Sequence, residues 1–248
     1  KSLHMLNPKL SDIKTKGVLY LIPTAIGSMP AIDYLPQTVI ETIHSLDEFI
    51  VENSKSARQF LKYINIPTPQ QQLIIHELNK HEGNVFETTF FSNLLSGKNV
   101  GLLSEAGCPA VADPGALIVA EAHKLQIKVV PLTGPSSILL ALMASGLNGQ
   151  QFAFNGYLPK EKTERNAAIK KAEKDSAQRR QTQIFIETPY RNNALFDDLL
   201  NNLQPSTRLC IASALQCENE MIKTQRVSEW KKQRQELNKH PVVWLFLA

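Results

Sequence analysis

Short, almost wholly apolar runs recur along this chain and limit what it can fold into. They are Gly17-Val18-Leu19-Tyr20-Leu21-Ile22, Phe49-Ile50-Val51, Val100 to Leu103, and Ile127-Lys128-Val129-Val130-Pro131. Each reads as a buried strand of the kind found inside a parallel sheet. Amphipathic stretches separate them. One runs from about Tyr34 to Ser45. A second carries Ala57, Phe60, Leu61 and Ile64 on one face, with Ser54 as its expected N-cap. A third lies near Val85 to Leu95 and closes at Gly97, and Gln72 to His76 adds a short strand. Alternation of this kind predicts a parallel sheet with helices on both faces.

The connections are as informative as the strands. Leu103 breaks into Ser104-Glu105-Ala106-Gly107-Cys108-Pro109-Ala110-Val111-Ala112-Asp113-Pro114-Gly115, after which an apolar helical pattern resumes at Leu117. Small side chains let a ligand approach the backbone, and prolines fix the loop's shape before anything binds. Pro23-Thr24-Ala25-Ile26-Gly27-Ser28 is a second loop of this type, and Thr133-Gly134-Pro135-Ser136-Ser137 a third. The third opens a helix over Ile138 to Ser145, with Pro135 expected at the first helical position. Rigid loops at the carboxyl ends of strands are where α/β proteins place ligands.

Beyond Gly146 the pattern changes. Strands are expected at Phe152-Ala153-Phe154, Thr182 to Glu187, Arg208 to Ala212 and Pro241 to Leu247, with a helix through Leu195, Phe196, Leu199 and Leu200. Lys160 to Arg180 holds eight basic and four acidic residues, an excess equal to the net charge of +4 on the whole chain. That segment reads either as a solvated helix with i,i+4 pairs or as a basic lip for RNA or another polyanion. The expected division is a polar arm over 1–16, an α/β domain over 17–133 and a second over 134–248.

Several chemistries find no support. No GxGxxG follows a strand, and neither a phosphate-binding lysine loop nor a GxSxG turn is present. The six histidines and three cysteines have no metal-ligand spacing, so no metal is expected. Three scattered cysteines suggest a reducing, cytoplasmic setting. The polar amino terminus is not expected to act as a signal peptide, and the longest apolar run, Ile138 to Ala144, is too short to span a bilayer. What remains are strand-end loops suited to a bulky, polar, nucleoside-like ligand.

These loops carry a resemblance. Pro23-Thr24-Ala25-Ile26-Gly27-Ser28 matches an Ala-Thr-Pro-Ile-Gly-Asn loop, and Glu52-Asn53-Ser54-Lys55 matches Glu-Asp-Thr-Arg. Ser104-Glu105-Ala106-Gly107-Cys108-Pro109 with Asp113-Pro114-Gly115 matches Ser-Asp-Ala-Gly-Thr-Pro followed by Asp-Pro-Gly. Further matches are Pro131 to Ser137, Gly156-Tyr157-Leu158-Pro159 with Arg165, and Glu187-Thr188-Pro189-Tyr190-Arg191. In order, these six motifs resemble the tetrapyrrole-methylase superfamily of S-adenosylmethionine-dependent methyltransferases. They are most similar to its branch that methylates a ribose 2′-hydroxyl of small-subunit ribosomal RNA.

The resemblance implies two α/β domains with mostly parallel or mixed sheets and an inter-domain cleft, a homodimer, and S-adenosylmethionine as methyl donor. It implies donor contacts from Pro23, Ser104, Glu105, Ala106, Gly107, Ala112, Asp113, Gly115, Thr133, Gly134, Pro135, Ser136 and Ser137. Glu52 and Glu187 are its candidate catalytic carboxylates. Asn53, Lys55, Lys160, Arg165, Tyr190 and Arg191 are candidate contacts to the RNA. The chain departs from the pattern at Glu105, at Asn53-Ser54-Lys55 and most at Ser213-Ala214-Leu215-Gln216-Cys217, where charged residues are missing. The alternatives are a tetrapyrrole or other small-molecule acceptor, and a donor-binding module without catalysis.

Overall fold

The computed structural model describes residues 15–78 and 86–248. The expected arm lies outside the described residues except for its last two, and so does Val85 at the start of one expected helix. From Val18 the chain forms β1 (Val18–Ile22), α1 (Ala31–Tyr34), α2 (Gln37–His44), β2 (Glu48–Val51), α3 (Ser54–Tyr63) and β3 (Ile74–Glu77). After a 3-10 turn at Thr88–Phe91 come α4 (Ser92–Leu95), β4 (Val100–Leu103), α5 (Gly115–Lys124) and β5 (Lys128–Pro131). Then follow α6 (Ser137–Ser145), β6 (Phe152–Tyr157), α7 (Lys162–Arg179), β7 (Thr182–Glu187) and α8 (Asn192–Asn202). The carboxyl-terminal part is β8 (Arg208–Ser213), β9 (Met221–Arg226), α9 (Val227–Trp230) and β10 (Val242–Leu247).

These elements form two compact units. The first takes the described chain through Thr24 and then Leu35–Gly134; the second takes Ala25–Tyr34 and Pro135–Ala248. The ten-residue excursion into the second unit is not part of the division expected from sequence, and its contacts are specific. Ile26 packs into an apolar cluster with Ala141, Cys210 and Leu215. The Ser28 amide donates to the Gln216 carbonyl at 3.2 Å. A Cβ on Gly27 would lie 2.4 Å from the Leu215 oxygen, so only glycine fits there. The divergent Ser213–Cys217 segment is the other half of this contact. Ala214 and Gln216 hold left-handed backbone angles (φ 52° and 58°), which bend it into a tight turn.

The first unit holds an all-parallel sheet in the order β3-β2-β4-β1-β5. One face buries Leu19, Ile50, Val100 and Leu102 against Phe91, Leu94, Ile118 and Ala122. The second unit holds a mixed sheet, β6-β7-β10-β8-β9, in which only the β6–β7 pair is parallel. Its central strand β10 shows why an unbroken apolar run is a strand with two dry faces. Val242, Trp244 and Phe246 enter one core, while Val243 and Leu245 enter the other. Neighbouring β8 splits the same way, Leu209 and Ile211 against Cys210 and Ala212.

Local expectations are corrected at four places. The helix expected near 85–95 is a 3-10 turn followed by the single turn α4, with Gly97 at φ 98° just past its end. Pro135 precedes the N-cap, which is Ser136, rather than taking the first helical position. Strand β9 and helix α9 were not expected at all. The N-cap of α3 is Asn53, not Ser54: the Asn53 side chain accepts from the amides of Lys55 (3.0 Å) and Ser56 (3.1 Å). Replacing Asn53 by alanine should therefore cost about 1 kcal/mol of stability, measurable as a shift of a few degrees, roughly 2–4 °C, in the thermal midpoint.

Candidate functional site

Parallel strands end at one edge of their sheet, so the residues that follow them are neighbours in space whatever their distance in sequence. In the first unit Ile22 pairs with Leu103 and Val51 pairs with both Leu103 and Glu77. The edge is therefore lined in turn by Glu77, Glu52, Ser104 and Pro23, and Leu21 pairs with Pro131 to bring Thr133 and Gly134 alongside. The crossovers run outward from this row in both directions, which is the switch point at which open α/β sheets bind ligands.

The turns in the row are locked to each other. Thr24 and Gly107 exchange two backbone hydrogen bonds (3.0 and 3.2 Å). The Thr24 hydroxyl donates to the Ser104 carbonyl at 3.2 Å, and the Ser104 hydroxyl donates to the Gly107 carbonyl. Gly134 abuts Pro23 so closely that a Cβ would lie 2.1 Å from the proline Cγ. Both hydroxyls are buried and occupied, which makes Ser104 a brace for the loop.

Asp113 performs the same service for the second half of that loop. Its Oδ1 accepts from the amides of Ala110 and Gly115, both at 2.8 Å. The result is a compact turn in which Ala110 and Ala112 take left-handed angles (φ 65° and 61°). Non-glycine residues held there cost energy, and strain of this sort gathers where a backbone is shaped for a ligand. Ala112 and Ala106 are at most small obstacles, so backbone amides and carbonyls remain approachable. Burial pushes the Cys108 thiol up, which keeps it protonated and unreactive at neutral pH.

Two carboxylates stand on adjacent strand ends. The Glu105 amide donates to Glu52 Oε1 at 3.3 Å, and Glu105 itself accepts from the Ser56 hydroxyl in the first turn of α3. Glu77 receives both the amide (2.8 Å) and the hydroxyl of Ser54. Sequence reasoning singles out neither Ser56 nor Glu77; the usable signal was that β3 must end on the same edge as β2. Asn53 spends its side chain on the helix cap, and Lys55 is exposed beside it.

In the second unit the sequence-selected residues divide by what holds them. The Glu187 carboxylate is buried, and its Oε1 accepts from the Thr188 amide (2.7 Å) and from Arg191 Nε (3.0 Å) and NH2 (2.6 Å). Arg191 lies 5.8 Å from the centre of the Tyr190 ring, which is 72% exposed. Arg165 is nearly enclosed. Its Nε donates to Asp198 Oδ2 at 2.7 Å, and its NH1 donates to the carbonyls of Pro159 (3.2 Å) and Lys160 (2.6 Å). Lys160 is exposed. Ser136 accepts from the Leu139 amide at 3.4 Å, and Ser137 and the buried Pro135 flank it.

Among the described residues no group of three histidine, cysteine or acidic side chains could hold a metal ion, and no helix is long and apolar enough to cross a membrane.

Comparison with known proteins places these features. The family described as Tetrapyrrole (Corrin/Porphyrin) Methylases matches residues 18–230. Proteins named "Ribosomal RNA small subunit methyltransferase I" are similar to the chain across several bacteria. The Halalkalibacterium halodurans protein is 33% identical over 75% of this chain and 60% of its own length. The protein from Buchnera aphidicola subsp. Baizongia pistaciae is 30% identical over 94% of this chain and 76% of its own. The chain thus spans between three-fifths and about three-quarters of these relatives. Among solved structures, diphthine synthase superposes with a TM-score of 0.65 at 15% identity, covering 93% of this chain and 90% of that one. The methyltransferase CobJ gives 0.59 at 16%, covering 93% of each. At that identity the likeness establishes the fold.

Proposed function

The chain belongs to the tetrapyrrole (corrin/porphyrin) methylase family, and from that premise we propose that it transfers a methyl group from S-adenosylmethionine to a ribose 2′-hydroxyl of small-subunit ribosomal RNA. The observation that carries the reading is the row of interlocked strand-end turns in the first unit. Their shape is set in advance by Asp113, Ser104 and the Pro23–Gly134 contact. The names of the similar bacterial proteins favour ribosomal RNA as the acceptor.

The residues present fit the donor. A nucleoside with an amino-acid tail needs amides, carbonyls and little side-chain bulk, which the turns at 104–107 and 110–115 offer. Thr133 is exposed at the end of β5 and can hydrogen-bond a polar group of the donor. When bound, the donor supplies an electrophilic methyl carbon on a sulfonium whose departure leaves a neutral thioether.

The protein's work is then alignment and proton management. Holding acceptor oxygen and methyl carbon in line is worth at most about 7–11 kcal/mol of barrier. Glu52 is our candidate for easing the proton from the ribose hydroxyl, because its carboxylate stands at a strand end within the row, where its Oε1 accepts from the Glu105 amide at 3.3 Å. Glu187 we read as a positioning residue that orients Arg191. Arg191 and the exposed Tyr190 would then meet the RNA through a phosphate and a stacked base. We place the reaction in the cytoplasm, and a homodimer is part of the same reading.

Calorimetric titration with S-adenosylmethionine and its demethylated product, followed by radiolabelled methyl transfer to small ribosomal subunits, tests the proposal. Binding of both compounds and label recovered in a 2′-O-methylated nucleoside is the expected result. Donor binding without transfer to any ribosomal RNA would overturn the acceptor, and no binding would overturn the enzyme.

A further inference from the structure

Helix α3 carries Lys55, Arg58 and Lys62 at spacings of three and four residues, which puts all three on one side of the helix. With Ser54, Gln59 and Gln70 they line an open groove of about 500 Å³. No carboxylate lines it, and α3 contains no acidic residue. Arg58 is steadied by donating from NH1 to the Gln70 carbonyl, which fixes the guanidinium at the groove wall. Lys55 and Lys62 are exposed. Among the described residues none of the three cations forms an ion pair.

The contrast with α7 decides how these charges are to be read. The sequence put the basic excess in 160–180, where three of the eight cations, including the only one that is not exposed, have acidic partners on the protein. Lys171 pairs with Asp175 at 2.8 Å, and Arg165 and Lys162 both meet Asp198 (2.7 and 3.9 Å). Paired charges on a helix surface are a stabilising pattern with no need of a ligand. On α3 like charges share a groove that no carboxylate lines, although Glu77 and Glu105 meet the helix's first turn, and a polyanion in that groove would relieve their repulsion.

Geometry narrows the class of polyanion. Seven residues of helix separate Lys55 from Lys62, an axial distance of about 10 Å. Each of three cations in file can meet one phosphate of a nucleic-acid strand, so the row fits about three of them. The cations lie in file along an open groove rather than converging on a point, which suits a chain of phosphates better than a single one. Lys55 is also three residues from Glu52, so the groove starts beside the strand-end row.

We propose that the groove along α3 binds about three consecutive phosphates of the RNA substrate and guides the strand toward the strand-end turns of the first unit. This rests on the RNA reading given above. In the test, K55Q/R58Q/K62Q is compared with the unsubstituted chain and with the charge-preserving K55R/K62R. The probe is transcribed small-subunit ribosomal RNA, with affinity measured by fluorescence anisotropy between about 50 and 200 mM salt. S-adenosylmethionine affinity and the thermal midpoint are measured on the same samples.

The glutamine variant should bind RNA on the order of 10–100-fold more weakly at about 100 mM salt, with its log–log salt slope reduced by about 2 to 3. Its donor affinity should match the parent and its midpoint should fall by no more than the loss of the Arg58–Gln70 hydrogen bond explains, and the arginine variant should retain the parent's slope. An unchanged slope in the glutamine variant, in a parent that binds and methylates RNA, overturns the groove alone. A parent that binds no RNA overturns the groove together with the RNA reading.

Discussion

Replacing Gly134 by alanine should weaken S-adenosylmethionine binding by about 100-fold while leaving the chain folded. The added Cβ would lie 2.1 Å from Pro23 Cγ and 2.6 Å from its Cβ, with Leu35 Cδ2 behind at 3.2 Å. A proline ring is tied to the backbone at both ends and cannot swing aside, so the turn after β5 must withdraw from the turn after β1. Restoring ordinary carbon–carbon contact at about 3.5–4.0 Å requires more than 1 Å of movement. Overpacking of this kind costs about 1–3 kcal/mol, which the first unit can absorb. A shift of about 1 Å carries the turn's polar groups out of hydrogen-bond reach of the donor, and two such bonds at about 1–1.5 kcal/mol each correspond to a loss near 100-fold. Calorimetry with the donor reads the effect, and a melting curve confirms folding. An unaltered dissociation constant would mean that the Thr133–Gly134 turn takes no part in holding the donor.

That experiment works because the turns, unlike their functions, can be read in the sequence. Proline and glycine punctuate the ends of β1, β4 and β5, and the apolar runs before them leave little choice about which segments are strands. Strands buried on both faces, such as β4, β8 and β10, announce themselves by composition. The edge strands β3 and β9 do not. Ile74–Glu77 and Met221–Arg226 each pair with a single neighbour and mix charged or polar residues with apolar ones, so β3 starts two residues and ends one residue later than its sequence suggests, and β9 carries no strand signal. The ten residues that join the second unit were hidden for another reason. Their partner, the turn at Leu215 and Gln216, lies nearly 190 residues downstream, and it is built from backbone carbonyls that carry no sequence mark.

Site residues were legible as positions but not as roles. Strand-end placement put Glu52, Glu105 and Ser104 on one edge, and that follows from parallel pairing. Whether a polar side chain at such a place faces a ligand or braces the fold depends on partners that spacing cannot reveal. Asn53 is occupied by its own helix, Ser104 by Gly107, and Glu187 by Arg191. The two readings of the charge-rich α7 stayed open for the same reason, because the acid that neutralises its most buried arginine sits on α8.

That arginine gives the largest expected stability effect. Arg165→Ala should destabilise the second unit by about 3–5 kcal/mol, because it leaves Asp198 as a buried charge without its main partner. The side chains are 12% and 6% exposed, and Lys162 at 3.9 Å is too distant and too solvated to substitute. The carbonyls of Pro159 and Lys160 lose their donor in the same step, freeing the loop between β6 and α7 from α8. For a chain of this size the melting midpoint should fall by roughly 6–20 °C. Asp198→Asn should cost less, since an amide oxygen still accepts from Nε. The double variant R165M/D198L should recover much of the loss, because a well-packed apolar pair replaces a buried ion pair at little net cost. RNA affinity separates this structural role from the phosphate contact the sequence suggested. If Arg165 only braces the loop, R165M/D198L keeps the parent's salt slope; a slope lower by about 0.7–0.9 would instead put one phosphate on Arg165.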